Sequence, residues 1–159
     1  MRLNNFGLSD TEGTFAIYKD EETSGLSSLY QRNLSFCNMS LSIKEAAEMK
    51  RAKNYIESNG IKKINLVKMD IEGHEISALK GFGEYLNADF IDAIQFEYGG
   101  ANIDSHTNLM DFYNLLLPRD FIICKVKKHY LEIRDYNPRL DNFVYQNFVA
   151  ISKKSGFLP

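Results

Sequence analysis

With 159 residues, 44% of them hydrophobic, the chain is long enough for one domain with a substantial core and too short for two ordinary ones. A formal charge of −2 and a pI near 5.9 argue against a nucleic-acid partner, which leaves a strongly basic footprint. No charged-then-apolar leader opens the sequence and no apolar run approaches the ~20 residues of a membrane span, so a cytoplasmic protein without a membrane partner is expected.

Arg2 to Phe6 reads as a short strand and Gly7 to Asp10 as a turn. Thr14 to Tyr18 alternates and is rich in β-formers, which predicts a strand; the polar stretch Lys19 to Ser28 then reads as a loop. Leu34 to Leu41 is a second alternating segment. Ser42-Ile43-Lys44-Glu45 has the form of a capping box and predicts a helix to about Ser58, with Ala46, Met49, Ala52 and Ile56 as its apolar stripe and Gly60 as its C-terminal cap. Ile64 to Met69 reads as a buried strand, and Ile76, Ala78 and Leu79 begin a helix after it. Phe90 to Glu97 is the next strand, ended by Tyr98-Gly99-Gly100. Thr107 caps a helix from Asn108 to Leu117, which Pro118 stops. Phe121 to Val126 is a strong strand and Tyr130 to Ile133 a weaker one. Asp135 to Gln146 is a loop, and Phe148 to Ile151 a final strand. Helices and strands alternate in the middle and strands cluster at the end, so a parallel sheet with an antiparallel hairpin at one edge is expected.

Three acids fall at strand ends: Asp70, Glu72 and Glu97. If their strands are neighbours in a parallel sheet, all three face one crevice beyond the carboxyl ends, where such folds bind ligands. That cluster can deprotonate a hydroxyl, hold a divalent metal or stabilise a positive cofactor; the alternative is that the acids of Asp70 to Glu75 only cap and favour the following helix. His74 titrates near neutral pH and is a candidate base, set against an ordinary capping role. His74-Glu75 is not the two-histidine zinc signature, because position 78 is Ala78. Cys37 and Cys124 have no metal-like spacing and read as free thiols of a reducing compartment. Lys50, Arg51 and Lys53, like Lys125, Lys127 and Lys128, read as solvated charge. There is no Walker motif, glycine-rich dinucleotide fingerprint or nucleophile elbow.

The run Leu66 to Glu75, followed by Leu79-Lys80-Gly81, resembles the signature of the FkbM-type methyltransferases: lysine, apolar, aspartate, apolar, glutamate, glycine, and then leucine-lysine-glycine. Matches in the same order occur at Leu8-Ser9-Asp10 with Glu12-Gly13, at Ser27-Ser28-Leu29, at Gln95 to Tyr98 and at Asn147 to Ile151. The resemblance implies a class I methyltransferase-like, Rossmann-like α/β fold, mostly parallel with a late antiparallel hairpin, over residues 1–159. It implies S-adenosylmethionine as cofactor and a hydroxyl oxygen of a sugar or secondary metabolite as methyl acceptor. Asp70 is then expected beside the methionine end of the cofactor. Glu72, His74 and Glu97 would contact or deprotonate the acceptor, and Ser9 and Asp10 would border the adenine; no metal is assigned.

The family's cofactor loop and ribose-binding acid precede the part that Arg2 onward matches, so the domain is expected to be N-terminally truncated. Two strands would be absent between the first strand here and the Ile64 strand, a gap of about 14 Å. Either the N-terminal hairpin re-docks on the Ile64 strand, or a complementing chain fills the gap, or the open edge drives homo-association. Weak cofactor binding by the chain alone is the corresponding expectation, with a non-catalytic binding module as the rival reading.

Overall fold

Two hydrogen-bonded sheets and four short helices make up the computed structural model, which describes residues 2–20, 27–32, 34, 38 and 40–156. The smaller sheet holds β1 (Gly7–Leu8), β2 (Gly13–Lys19) and β3 (Ile43–Lys50) in the order β1-β3-β2. After β3 come α1 (Ala52–Asn59), β4 (Ile64–Lys68), α2 (Glu75–Lys80), β5 (Ile91–Tyr98), α3 (Ala101–Asp104), α4 (Leu109–Leu116), β6 (Phe121–Val126), β7 (Leu131–Ile133) and β8 (Gln146–Ser152).

The second sheet has the order β4-β5-β8-β6-β7. It corrects the mostly parallel expectation: β4 and β5 pair in parallel, whereas β5–β8, β8–β6 and β6–β7 are antiparallel. The predicted hairpin is present as β6–β7 at the edge, but the last strand inserts between β5 and β6. Packing accounts for that placement, because Phe148 on β8 stacks on Phe96 of β5 at 5.7 Å, and Phe96 stacks on Phe112 of α4 at 4.2 Å. The core lies on this face.

β4 is not covered on both faces as its apolar run predicts. It is an edge strand whose Leu66 is 58% exposed, with Ile64 and Val67 alone packing partly on the core. Re-docking of the N-terminal hairpin is likewise not what is seen, because among the described residues β4 pairs with β5 only and β1-β3-β2 form a separate sheet.

The capping-box helix over Ser42 to Ser58 is also corrected. Residues Ile43–Lys50 form a strand in full antiparallel register with β2, from Gly13 opposite Met49 to Lys19 opposite Ile43. Seven paired positions and a Lys19–Glu45 ion pair of 2.5 Å outweigh the few tenths of a kilocalorie per residue by which Lys, Glu and Ala prefer a helix. A helix begins only after Arg51. Gly60 does cap it, with φ 62° and its amide turned to the carbonyls of Glu57 and Ile56.

At the N-terminus the strand is Gly7–Leu8, parallel to β3, rather than Arg2 to Phe6. Of the Leu34 to Leu41 stretch, Leu34, Asn38, Ser40 and Leu41 lie outside any strand, and the rest, Cys37 included, falls outside the described residues. Cys124 is a buried free thiol. Asn108, not Thr107, caps α4, through a reciprocal box with Asp111.

Asp141 fastens the loop before β8 to the core: it accepts from Tyr98 Oη at 3.2 Å, Tyr136 Oη at 2.6 Å and the Leu109 amide at 2.5 Å. Burial and the Asp141 charge push the Tyr98 phenol up to about 12. Asp141→Ala strands three donors at once and is expected to cost about 2–3 kcal/mol. The check is an earlier urea midpoint at an unchanged m-value.

Candidate active site

β4 ends at Lys68, and the Met69 amide continues the parallel ladder by donating to the Gln95 carbonyl at 2.9 Å. The chain then reverses through two residues with positive φ, Glu72 at 51° and Gly73 at 96°. A glutamate in this region is sparsely populated conformational space. Glycine at 73 is a contact requirement as well, because a Cβ there would lie 2.6 Å from the Ala101 carbonyl oxygen. The turn is closed by Glu75, whose Oε1 accepts the Ile71 amide at 3.1 Å, and by the Ser28 hydroxyl, which donates to the Glu72 carbonyl at 3.1 Å.

This turn separates two hollows. On one side lies a crevice of about 360 Å³ beyond the carboxyl ends of β4 and β5, walled by Glu72, Glu75, Glu97, Arg32, Tyr145 and the Gly99-Gly100 pair. On the other side is a more apolar hollow of about 210 Å³, bounded by Asp70, Ile71, His74, Leu8, Leu29 and Met49. The acids expected to share one crevice are therefore divided, with Glu72 and Glu97 on one side of the turn and Asp70 on the other.

In the crevice, Arg32 is 13% exposed; its Nη1 donates to Glu72 at 2.7 Å and its Nε to Asp104 at 3.1 Å. Burial raises the Glu72 pKa despite the Arg32 charge beside it, and Asp70 and Glu97 raise it further. Glu97 takes a short hydrogen bond from the Tyr145 hydroxyl. Glu75 is 1% exposed, and its Oε2 has no hydrogen-bond partner among the described residues. Burial lifts its carboxyl to about 7; the amides of Glu75, Ile71 and Gly73 pull the other way without closing a bond to Oε2, and Glu72 adds to the rise.

His74 faces away from this crevice. It is 7% exposed, with Nδ1 2.9 Å from the Tyr30 hydroxyl and Nε2 3.0 Å from the Ser9 hydroxyl, so both ring nitrogens are engaged. Each partner is a hydroxyl able to donate or accept, so the pair accommodates a neutral imidazole with one nitrogen donating and the other accepting. Burial holds its pKa below the ordinary value, against the pull of Asp10. Ser9 is buried between His74 and Asp10, its Oγ 3.2 Å from the Asp10 carboxylate. Asp70 is 51% exposed at the end of the β4 edge, with Lys68 3.6 Å away.

Sequence reasoning missed Arg32 and Tyr145, each in a stretch without periodicity, and it treated Glu75 as a helix-end charge. The double arginine contact joins residues 40 and 72 positions apart, which no local pattern signals.

Comparison with known families settles the class. The model of the methyltransferase FkbM domain matches residues 2–139. The chain belongs to the FkbM methyltransferase family. No curated protein and no solved structure matches it. The FkbM motif residues acquire physical tasks here: Gly73 admits the Ala101 carbonyl, and Gly81 of the leucine-lysine-glycine admits Ser9, whose carbonyl oxygen would lie 2.1 Å from a Cβ at that position. Among the described residues of this FkbM chain no group of three potential metal ligands converges, and no helix is long and apolar enough to cross a membrane. Lys125, Lys127 and Lys128 line an open groove with Lys68, where Lys127 pairs with Glu132 at 3.2 Å.

Proposed function

We propose that this FkbM methyltransferase uses S-adenosylmethionine to methylate a hydroxyl oxygen of a small polyhydroxylated acceptor, a sugar or secondary metabolite, held in the crevice beyond β4 and β5. The observation that carries this reading is the division made by the acidic turn: a half-exposed aspartate beside an apolar hollow on one side, and a polar, carboxylate-walled crevice on the other. Asp70 suits the ammonium of an amino-acid moiety, since its contact with Lys68 is long at 3.6 Å, and Leu8, Ile71 and Met49 suit an aliphatic chain. When bound, the cofactor supplies an electrophilic methyl group.

The residues of the chain then have to align the acceptor oxygen and take its proton. Glu72 and Glu97 accept hydrogen bonds from acceptor hydroxyls and fix the reacting oxygen. Glu75 adds a proton acceptor whose pKa of about 7 suits work near neutrality. His74 holds Ser9 and Tyr30 against the turn rather than reaching the acceptor. The open edge of β4 is where a further strand bearing the cofactor loop would pair, from this protein or from a complementing chain; the exposure of Leu66 supports that reading.

Incubation with S-adenosylmethionine labelled in its methyl group and a panel of sugars and polyols tests the proposal. Label is expected in a base-stable methyl ether, and Asp70→Ala is expected to reduce it at least a hundredfold, equivalent to about 2.7 kcal/mol. Label in base-labile esters, or undiminished transfer by Asp70→Ala, contradicts it.

A further inference from the structure

The crevice is short of positive charge. Glu72, Glu75 and Glu97 wall it, and among the described residues its one lining cation is Arg32, already divided between Glu72 at 2.7 Å and Asp104 at 3.1 Å. Nothing of that guanidinium is bonded to Glu75, where Oε1 is held by the Ile71 amide and Oε2 is buried without a hydrogen-bond partner among the described residues. A buried carboxyl oxygen left unsatisfied is costly in either protonation state, and a cation that donates to it recovers the cost and draws the group to its ionised form. At the mouth, Glu97 is bonded by the neutral phenol of Tyr145 and, among the described residues, forms no ion pair, the lysines beside it lining the separate groove on its outer side. Burial raises the pKa values of both Glu72 and Glu75, and each is raised further by a neighbouring carboxylate, Glu72 by Asp70 and Glu97, Glu75 by Glu72.

We propose that the acceptor taken by this crevice carries an ammonium group beside its hydroxyls, an amino alcohol or amino sugar, with the cation lying between Glu75 and Glu97. An ammonium brings three donors and the missing charge together. A neutral polyol brings donors alone, and a carboxylated or phosphorylated sugar meets three acids, with the one lining cation among the described residues, Arg32, already paired. The inference rests on the crevice being the acceptor side, as proposed above, and specifies which acceptors it selects.

Amide NMR titration of the full chain without cofactor, at roughly pH 6.5 where the probe amine is largely protonated, compares D-glucosamine, D-glucose and D-glucuronate. D-glucosamine is expected to give saturable shifts at Gly73, Glu75, Gly99 and Gly100, with a Kd at least about tenfold below that of D-glucose. D-glucuronate is expected to give none. Glu75→Gln and Glu97→Gln should each weaken D-glucosamine about fivefold or more beyond any loss of D-glucose binding, so that the preference for D-glucosamine falls. Glu97 lies at the open mouth, so its variant keeps the test valid if Glu75→Gln loses its fold by circular dichroism. Equal Kd values for D-glucosamine and D-glucose, saturable binding of D-glucuronate, or no saturable binding of D-glucosamine overturns the inference. Methyl transfer to neutral sugars without preference for D-glucosamine overturns it too and leaves the proposed reaction standing. Selective D-glucosamine binding without methyl transfer to any acceptor does the reverse.

Discussion

Replacing Gly81 with alanine is expected to cost about 3 kcal/mol or more, enough to lower Tm by roughly 10 °C for a domain of this size. Gly81 has φ −62° and ψ −18°, which any residue adopts, so the effect is one of contact and not of backbone conformation. A Cβ there would meet the Ser9 carbonyl oxygen at 2.1 Å and its carbon at 2.9 Å. Neither backbone can retreat cheaply. The Ser9 amide donates to Lys50 at 3.0 Å, its hydroxyl meets His74 at 3.0 Å, and the Gly81 carbonyl accepts from Lys53 at 3.0 Å. Moving Ser9 also withdraws the partner of His74 and loosens the turn that holds Glu72. Gly60 is the internal control: it has φ 62° and open space within 4 Å of a Cβ, so Gly60→Ala should cost only the left-handed penalty of about 1 kcal/mol. Thermal melts of the two variants decide the matter, and equal losses would contradict the contact argument.

A second large effect concerns pH. The Glu75 carboxyl rises from 4.5 to about 7 in the folded chain, so between these values the native state holds a proton that the unfolded chain has released. Its contribution to stability is complete below about pH 4.5 and is lost as pH rises through 7, by about 3 kcal/mol in all. Glutamine keeps the acceptor for the Ile71 amide and cannot ionise. Glu75→Gln should therefore match the parent within about 1 kcal/mol near pH 4.5 and exceed it by about 3 kcal/mol at pH 8. His74 works in the opposite sense, because its lowered pKa destabilises the fold as pH falls below 6.5, but that slope is common to both proteins and cancels in their difference. Urea unfolding at the two pH values reads the result; a variant less stable than the parent at pH 8 would contradict the burial of an unpaired carboxyl. A site residue whose removal stabilises the fold is the expected signature of a group kept for function.

How legible the molecule is in its sequence follows from where each signal resides. β5, β6 and α4 are readable because their apolar residues pack on one core, with Phe96, Phe112, Phe121 and Ile123 buried at the expected periods. β3 is not readable, since most of its residues are exposed, its composition favours a helix, and its conformation comes from pairing with β2 some 30 positions away. The acidic turn is visible as a motif, and Gly73 as a turn residue. What the sequence conceals is direction: that Asp70 and His74 face one hollow while Glu72 and Glu75 face another follows from the positive φ of Glu72 and Gly73. Arg32 and Tyr145 reach the crevice from distant loops, so their roles emerge only with the fold.

The most direct test of the account is an amide NMR titration of the chain with S-adenosylmethionine, a method that registers weak binding. Saturable shifts centred on Asp70 and Ile71 are predicted, with a Kd above about 100 μM while the β4 edge is open, and with loss of the shifts in Asp70→Ala. No shift at up to about 5 mM cofactor, or saturable shifts that leave Asp70 and Ile71 untouched, would contradict the assignment of the donor side to the end of β4.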